Sequence, residues 1–248
     1  MTPVGMIGLL GGMSWESTQD YYRVVNQVVA AELGGLHSAR VLLHSVDFAE
    51  IERCQASGDW DRAGAILGDA ARGLELAGAD FVLICANTMH KVADQVQARV
   101  RIPLLHIADA VVAALQTAKI SKVALLGTRY TMTQPFLKDR LAASGRQILV
   151  PDDAGVEIVN AVIYDELCRG VVRDQSRQAV LAVIDSLVSA GAQGVILGCT
   201  ELPMLIRDGD CRVPLFDTTT LHATAAAKRA VSLATPISVA GPIVPSPA

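Results

Sequence analysis

Short apolar runs alternate with amphipathic segments along almost the whole chain. Runs rich in β-formers occupy Met6–Leu10, Ala39–Ser45, Phe81–Ile84, Leu104–Ile107, Val123–Leu126, Gln147–Val150, Gly194–Leu197 and Pro214–Phe216, and each is predicted to be a strand. Helical spacing fills most of the gaps. In Asp61–Leu76, for example, Ala63, Ile66, Leu67, Ala70, Ala71 and Leu74 recur every three or four residues. Strands that alternate with helices build parallel sheets with right-handed crossovers. Several of these strands are apolar on both faces, so helices should cover both sides of each sheet. The predicted class is α/β.

A faint internal repeat divides the chain. "GADFVLICANT" (78–88) overlays "GAQGVILGCTE" (191–201) without a gap, and "GLLGG" (8–12) resembles "ALLGT" (124–128). Two related α/β halves follow from this, 1–112 plus 216–235 and 113–215, with the active site in the cleft between them. The remainder, 236–248, reads "PISVAGPIVPSPA"; its four prolines and lack of period predict a flexible tail.

The repeat also predicts which side chains face the cleft. It aligns Val82 with Val195, Ile84 with Leu197, Cys85 with Gly198 and Ala86 with Cys199. Side chains alternate across a strand, so Ala86 shares a face with Val82 and Ile84, as Cys199 does with Val195 and Leu197. Ala86 and Cys199 are then the facing pair, and Cys85 points away.

Polar residues follow each of these strands. Ligands of parallel sheets bind beyond the carboxyl ends of the strands, where helix N-termini present unpaired N–H groups to anions. Asn87, Thr88, Thr200 and Glu201 sit at such ends, as do Gly11, Gly12, Met13 and Ser14, with Ser14 placed to cap the next helix. Each taken singly is ordinary turn and cap chemistry. Three such loops converging on one cleft would form a carboxylate site. "GLLGGMS" is not GxGxxG, so no dinucleotide fingerprint is present. A lone buried Cys is usually filler, but Cys199 is flanked by Gly198, Thr200 and Glu201. A thiolate beside helix N-termini has its pKa lowered from about 8.5, which would make Cys199 a proton acceptor near neutrality.

Composition narrows the partners. With 248 residues, 51% hydrophobic and 19% charged, the chain can bury one large core or two ordinary ones. A formal net charge of -4 and only 4% aromatic residues favour neither nucleic acid nor an anionic membrane surface. The start lacks a basic region before its short apolar stretch, and no segment approaches a membrane span. Five cysteines (Cys54, Cys85, Cys168, Cys199 and Cys211) show no CxxC or Cys/His pairing, so neither a disulfide framework nor a metal site is expected, and free thiols suit a cytoplasmic protein.

"IGLLGGMSWEST" near the start, "ANTMH" at 86–90 and "GCTE" at 198–201 together resemble the aspartate/glutamate racemase family. The similarity runs along nearly the whole chain before Pro236. "LGGLHSARVLLHSVDF", "NTMHKVAD" and "LLGTRYTM" are most similar to its bacterial broad-specificity and L-aspartate/glutamate-specific amino-acid racemases. The resemblance implies two pseudo-symmetric domains, a homodimer, a small amino-acid substrate, and no pyridoxal phosphate or other cofactor. It also implies a two-base mechanism in which one thiol removes the Cα proton and the other reprotonates the opposite face. Met13, Ser14, Gln55, Asn87, Thr88, Thr128, Thr200 and Glu201 fall at its substrate-binding positions. Such donors stabilise charge that develops beside the carboxylate.

Two departures qualify that picture. Where the family has Cys-Asn-Thr-x-His, this chain has Ala86-Asn87-Thr88-Met89-His90, so the first base is missing. Where aspartate-specific members carry an Arg and a Lys, Glu50 and Cys168 stand, with Arg53, Gln55 or Arg169 as possible substitutes. Structural hydrogen bonding is the default role for His44, His90, His106 and His222. Three functions remain: a racemase working through one thiol, Cys199; a single-cysteine carbon-acid enzyme such as an arylmalonate-type decarboxylase; or a catalytically weak amino-acid-binding protein.

Overall fold

Seven of the eight apolar runs pair as strands in the computed structural model, which describes residues 4–234. The 236–248 tail lies outside the described residues. The first half contains β1 (Met6–Gly11), α1 (Trp15–Leu33), β2 (Arg40–Ser45), α2 (Phe48–Ser57), α3 (Trp60–Leu76), β3 (Phe81–Ile84) and α4 (Ala93–Gln97). There follow α5 (Ile107–Thr117), β4 (Lys122–Gly127), α6 (Arg129–Thr133), α7 (Pro135–Ala142), β5 (Gln147–Leu149), α8 (Asp153–Ala161), α9 (Asp174–Ser189), β6 (Val195–Gly198), α10 (Leu202–Leu205), β7 (Leu215–Asp217) and α11 (Thr218–Ser232).

The strands form two sheets, ordered β2-β1-β3 and β5-β4-β6-β7, and every pairing is parallel. Alternation along the strands decides which helices cover which face. In the first sheet Leu10, Val82 and Ile84 pack against Ile51, Leu67, Ala71 and Val96 from α2, α3 and α4. Ile7, Leu9, Phe81 and Leu83 point the other way, onto Tyr21, Val25 and Val29 of α1 and Ala223, Ala226 and Ala230 of α11. The second sheet is covered alike, by α8, α9 and α10 on one face and by α5 and α7 on the other. Each fully buried Leu or Ile contributes roughly 1.5–3 kcal/mol relative to exposure, so these layers fix the register.

The register bears out the internal repeat. Leu10 pairs with Ile84 in the first sheet, and their aligned counterparts Leu126 and Leu197 pair in the second. Gly8 opposite Val82 likewise matches Ala124 opposite Val195. Gly78 and Gly191, which open the repeat, both turn into their strands with positive φ, 96° and 98°.

Three expectations need correction. Leu104–Ile107 is not a strand: only Leu104 bridges to Val82, because Pro103 precedes it and His106 already caps α5 by accepting from the Ala108 N–H. The boundary at 112 cuts through α5, whose Ile107, Ala108, Val111 and Leu115 pack on Val123, Leu125 and Ile196 of the second sheet. The boundary at 216 also moves, since Phe216 and Asp217 pair with β6 and only α11 returns to the first half.

Candidate active site

The carboxyl ends of β1, β3, β4 and β6 open into one cavity, and all ten residues singled out from the sequence line it. Met13, Ser14, Gln55, Ala86, Asn87 and Thr88 come from the first half; Thr128, Cys199, Thr200 and Glu201 come from the second. Gly12 sends the chain into the cleft: its φ is +91°, and a Cβ there would lie 2.3 Å from the Val46 carbonyl oxygen. Gly198 has a similar task, since a Cβ on it would lie 2.7 Å from the Leu126 carbonyl oxygen and push β6 off β4. The cavity holds about 40 Å³.

Ala86 and Cys199 sit in this cavity, while Cys85 is packed behind β3 with Tyr21, Phe81 and Leu83. Burial alone pushes the Cys85 thiol far above its usual range. Polar contacts span the cleft: the Ser14 hydroxyl donates to Glu201 Oε1 (2.7 Å), and Thr88 and Thr128 share a hydroxyl–hydroxyl bond (3.0 Å). Asn87 Nδ2 donates to Thr218 Oγ1 at the start of α11 (2.9 Å). Thr218 spends its own proton on the Leu197 carbonyl (2.9 Å), which fixes the Asn87 amide orientation. Asn87 Oδ1 is then buried with no partner among the described residues. An orphaned acceptor on a cavity-lining side chain suits a ligand N–H donor.

Glu201 changes two expectations. Ser14 does occupy the N-cap position of α1, but its hydroxyl makes no capping bond and instead donates to Glu201. The carboxylate also accepts from Thr200 Oγ1 (2.7 Å) and from Cys199 Sγ (3.0 Å), both on Oε2. Cys199 is therefore not a thiolate of lowered pKa. Burial first, and then the Glu201 charge, hold its thiol well above the usual range; the helix beyond it, α10, is only one short turn and offsets neither.

The cavity has further walls that the sequence pattern did not single out as such: Phe48, Ile163 and Tyr164, with Cys168 and Gly198. Ile163 and Tyr164 lie in a π-helical turn, Val162–Glu166, that breaks the 3.6-residue period by which a helix face is read. Cys168, named only as the site of a missing Lys, reaches the cavity, and burial followed by Glu201 raises its thiol to about 12. Glu50 does not reach the cavity; it pairs with Arg62 at the surface (2.9 Å). Arg53 and Arg169 are exposed, and of the three possible substitutes Gln55 alone lines the cavity, its amide donating to Met89 Sδ (3.1 Å).

Three histidines form a buried cluster behind the Ala86 end of β3. His90 Nε2 accepts from the Ile107 N–H (3.1 Å), so Nδ1 carries the proton and donates to the Ala86 carbonyl (2.8 Å). His222 Nε2 donates to the Leu105 carbonyl (2.8 Å) and Nδ1 accepts from the Tyr21 hydroxyl (2.9 Å). The His90 ring centroid lies 4.4 Å from that of His106 and 5.7 Å from that of His222. The structural role expected of these three is what they have; His44 is exposed on β2. Burial lowers His90 to about 4, while burial and neighbouring imidazole charge lower His222 to about 3 and His106 to about 2.

An unfolded chain binds these protons near pH 6.5 and the folded one does not. Stability is therefore fully present above about pH 6.5 and lost as pH falls towards 4, at up to roughly 1.4 kcal/mol per pH unit for each histidine. Urea midpoints should drop between pH 7 and pH 5. His106→Asn, which keeps a capping acceptor, should flatten that dependence by about a third. A dependence equally steep in the variant would mean that His106 is not held neutral.

The comparisons with known proteins match this fold. A model of the Asp/Glu/hydantoin racemase family covers residues 10–226, and the chain belongs to that family. The chain is 52% identical to an Asp/Glu racemase-type protein of Yersinia pestis known from its crystal structure, over 92% of this chain and 99% of that one, with a TM-score of 0.87. It is 34% identical to PH1733, an aspartate racemase homologue from Pyrococcus horikoshii OT3, over 93% and 99% of the two chains, with a TM-score of 0.80. The broad specificity amino-acid racemase RacX of Bacillus subtilis is 25% identical over 217 residues, 86% of this chain and 92% of that protein. Among the described residues no helix is long and apolar enough to cross a membrane.

Proposed function

We propose that this chain is a cofactor-independent enzyme of the amino-acid racemase type that works through a single thiol, Cys199. The observation that carries the reading is that Cys199 and Ala86, which has no proton to give or take, line the same cavity. Thr88 and Thr128 offer hydroxyls to the substrate carboxylate, and the orphaned Asn87 Oδ1 offers an acceptor to its ammonium. Charge that builds beside the carboxylate as Cα loses its proton is stabilised by those donors.

Incubation with single amino acids in D2O, followed by NMR, tests this. Deuterium should replace the Cα proton of one enantiomer much faster than the two enantiomers interconvert. Loss of CO2 from an arylmalonate without any Cα exchange in amino acids would replace this reading by a decarboxylase, and binding without either reaction would leave an amino-acid-binding protein. No Lys or Arg lines the cavity among the described residues, so neutral or modestly polar amino acids should compete with aspartate and glutamate. Strict aspartate specificity in a competition assay would sink the substrate assignment.

A further inference from the structure

We infer that Glu201 is the proton acceptor that makes the Cys199 thiol reactive, so that thiol and carboxylate act as one acid–base unit on one face of Cα. This rests on the function proposed above and goes beyond it, because there Glu201 only lines the site. Three donors converge on this carboxylate from both halves: Ser14 on Oε1 (2.7 Å), Thr200 and the Cys199 thiol on Oε2 (2.7 and 3.0 Å). Glu201 is only 5% exposed, and buried carboxylates surrounded by donors are held in one orientation. The thiol proton therefore has a defined place to go.

The step balances within the site. Cys199 Sγ takes the proton from Cα as its own proton passes to Glu201 Oε2, and the electron pair left on Cα spreads into the substrate carboxylate. The reverse sequence returns a proton to the same face. No free thiolate has to form first, which accords with a buried thiol beside a carboxylate. Two protons on adjacent atoms scramble, so deuterium that reaches Glu201 from solvent appears at Cα with retention of configuration. Ser14 is a positioning residue here: its bond reaches the carboxylate from the first half and fixes Oε1, as Thr200 and Cys199 fix Oε2.

Two rates measured against pH on the full chain decide the matter: Cα exchange in D2O, and iodoacetamide alkylation of Cys199 followed by peptide mass spectrometry. In the parent, alkylation should keep rising with pH to above the ordinary thiol range, because it reads the thiolate, whereas exchange should level off at lower pH, because it uses the thiol with Glu201 beside it. Exchange that follows the alkylation profile point by point overturns the inference. In Glu201→Gln the two rates should move in opposite directions, alkylation at pH 8 rising several-fold as the adjacent charge is lost and exchange falling by about two orders of magnitude or more. Unchanged exchange in that variant also overturns it. If the variant does not fold, the two parent profiles still decide. A parent that exchanges no amino acid, while Glu201→Gln still speeds alkylation, overturns the functional reading and with it a catalytic Glu201, leaving the thiol–carboxylate contact as structure only.

Discussion

Replacing Cys199 with alanine abolishes almost all Cα exchange, with an expected loss of about two to four orders of magnitude, while the fold survives. Cys199 lines the cavity together with Ala86, just beyond a strand whose register is fixed by Leu126–Leu197 and Gly127–Gly198 pairing. Removing the sulfur creates little new void, because the site is next to an existing cavity and the neighbouring Val195, Leu197 and Leu202 remain packed. The cost in stability should stay near 1 kcal/mol, in line with deletion of one small buried group. Serine is a stringent second variant, since it keeps the volume and a hydrogen bond to Glu201 but is a far poorer proton acceptor and donor than the thiol. Two controls separate this from a general loss of integrity. Cys85→Ala alters only the face of β3 turned towards α1 and α11, and it should leave exchange intact. Cys168→Ala touches the cavity wall and should change substrate preference more than rate. If Cys85→Ala is the damaging change, the strand faces assigned to catalysis are reversed. Exchange in D2O monitored by NMR, with thermal melts alongside, reads all three variants.

The fold and the identity of the site were legible where a period or a repeat forced a choice. A strand has period two, so aligning 78–88 with 191–201 settled at once that Ala86 and Cys199 share the cavity face and Cys85 does not; the structure places all three accordingly. Contacts between residues distant in sequence were not legible. Ser14 reads locally as a helix cap, and nothing nearby betrays that its hydroxyl belongs to Glu201, 187 residues away. The same blind spot explains the thiol. From the sequence, Cys199 precedes a helix and should be acidified; in space the nearest charge is the carboxylate two residues on, folded back to 3.0 Å, and its effect has the opposite sign. Leu104–Ile107 failed for a different reason, because four apolar residues carry too little periodicity to tell a strand from the approach to a helix, and the cap on His106 decided it.

Ala86→Cys should turn one-sided exchange into racemisation in both directions. A two-base racemase needs an acid and a base on opposite faces of one carbon, and each is worth about two to four orders of magnitude in rate. On the mechanism proposed above, the parent has that chemistry on the Glu201–Cys199 side only. Ala86 lies on the cavity face of the strand end, 6% exposed, and its backbone is held by the proton that His90 Nδ1 donates to its carbonyl. Cysteine adds one sulfur atom where the cavity already has room, so backbone and neighbours need not move, and the burial that keeps the Cys199 thiol protonated will act on the new one as well. A protonated thiol is what the second position requires, since it must deliver a proton to the carbanion that Cys199 creates. Interconversion measured by polarimetry or chiral chromatography, under reducing conditions so that the two thiols stay free, should rise by two orders of magnitude or more in each direction. Ala86→Thr should give a smaller gain that favours one direction, because a hydroxyl donates a proton far more readily than it accepts one from carbon. Should the parent already interconvert L and D forms quickly and at comparable rates, a second base other than residue 86 is present, and the one-thiol mechanism is wrong.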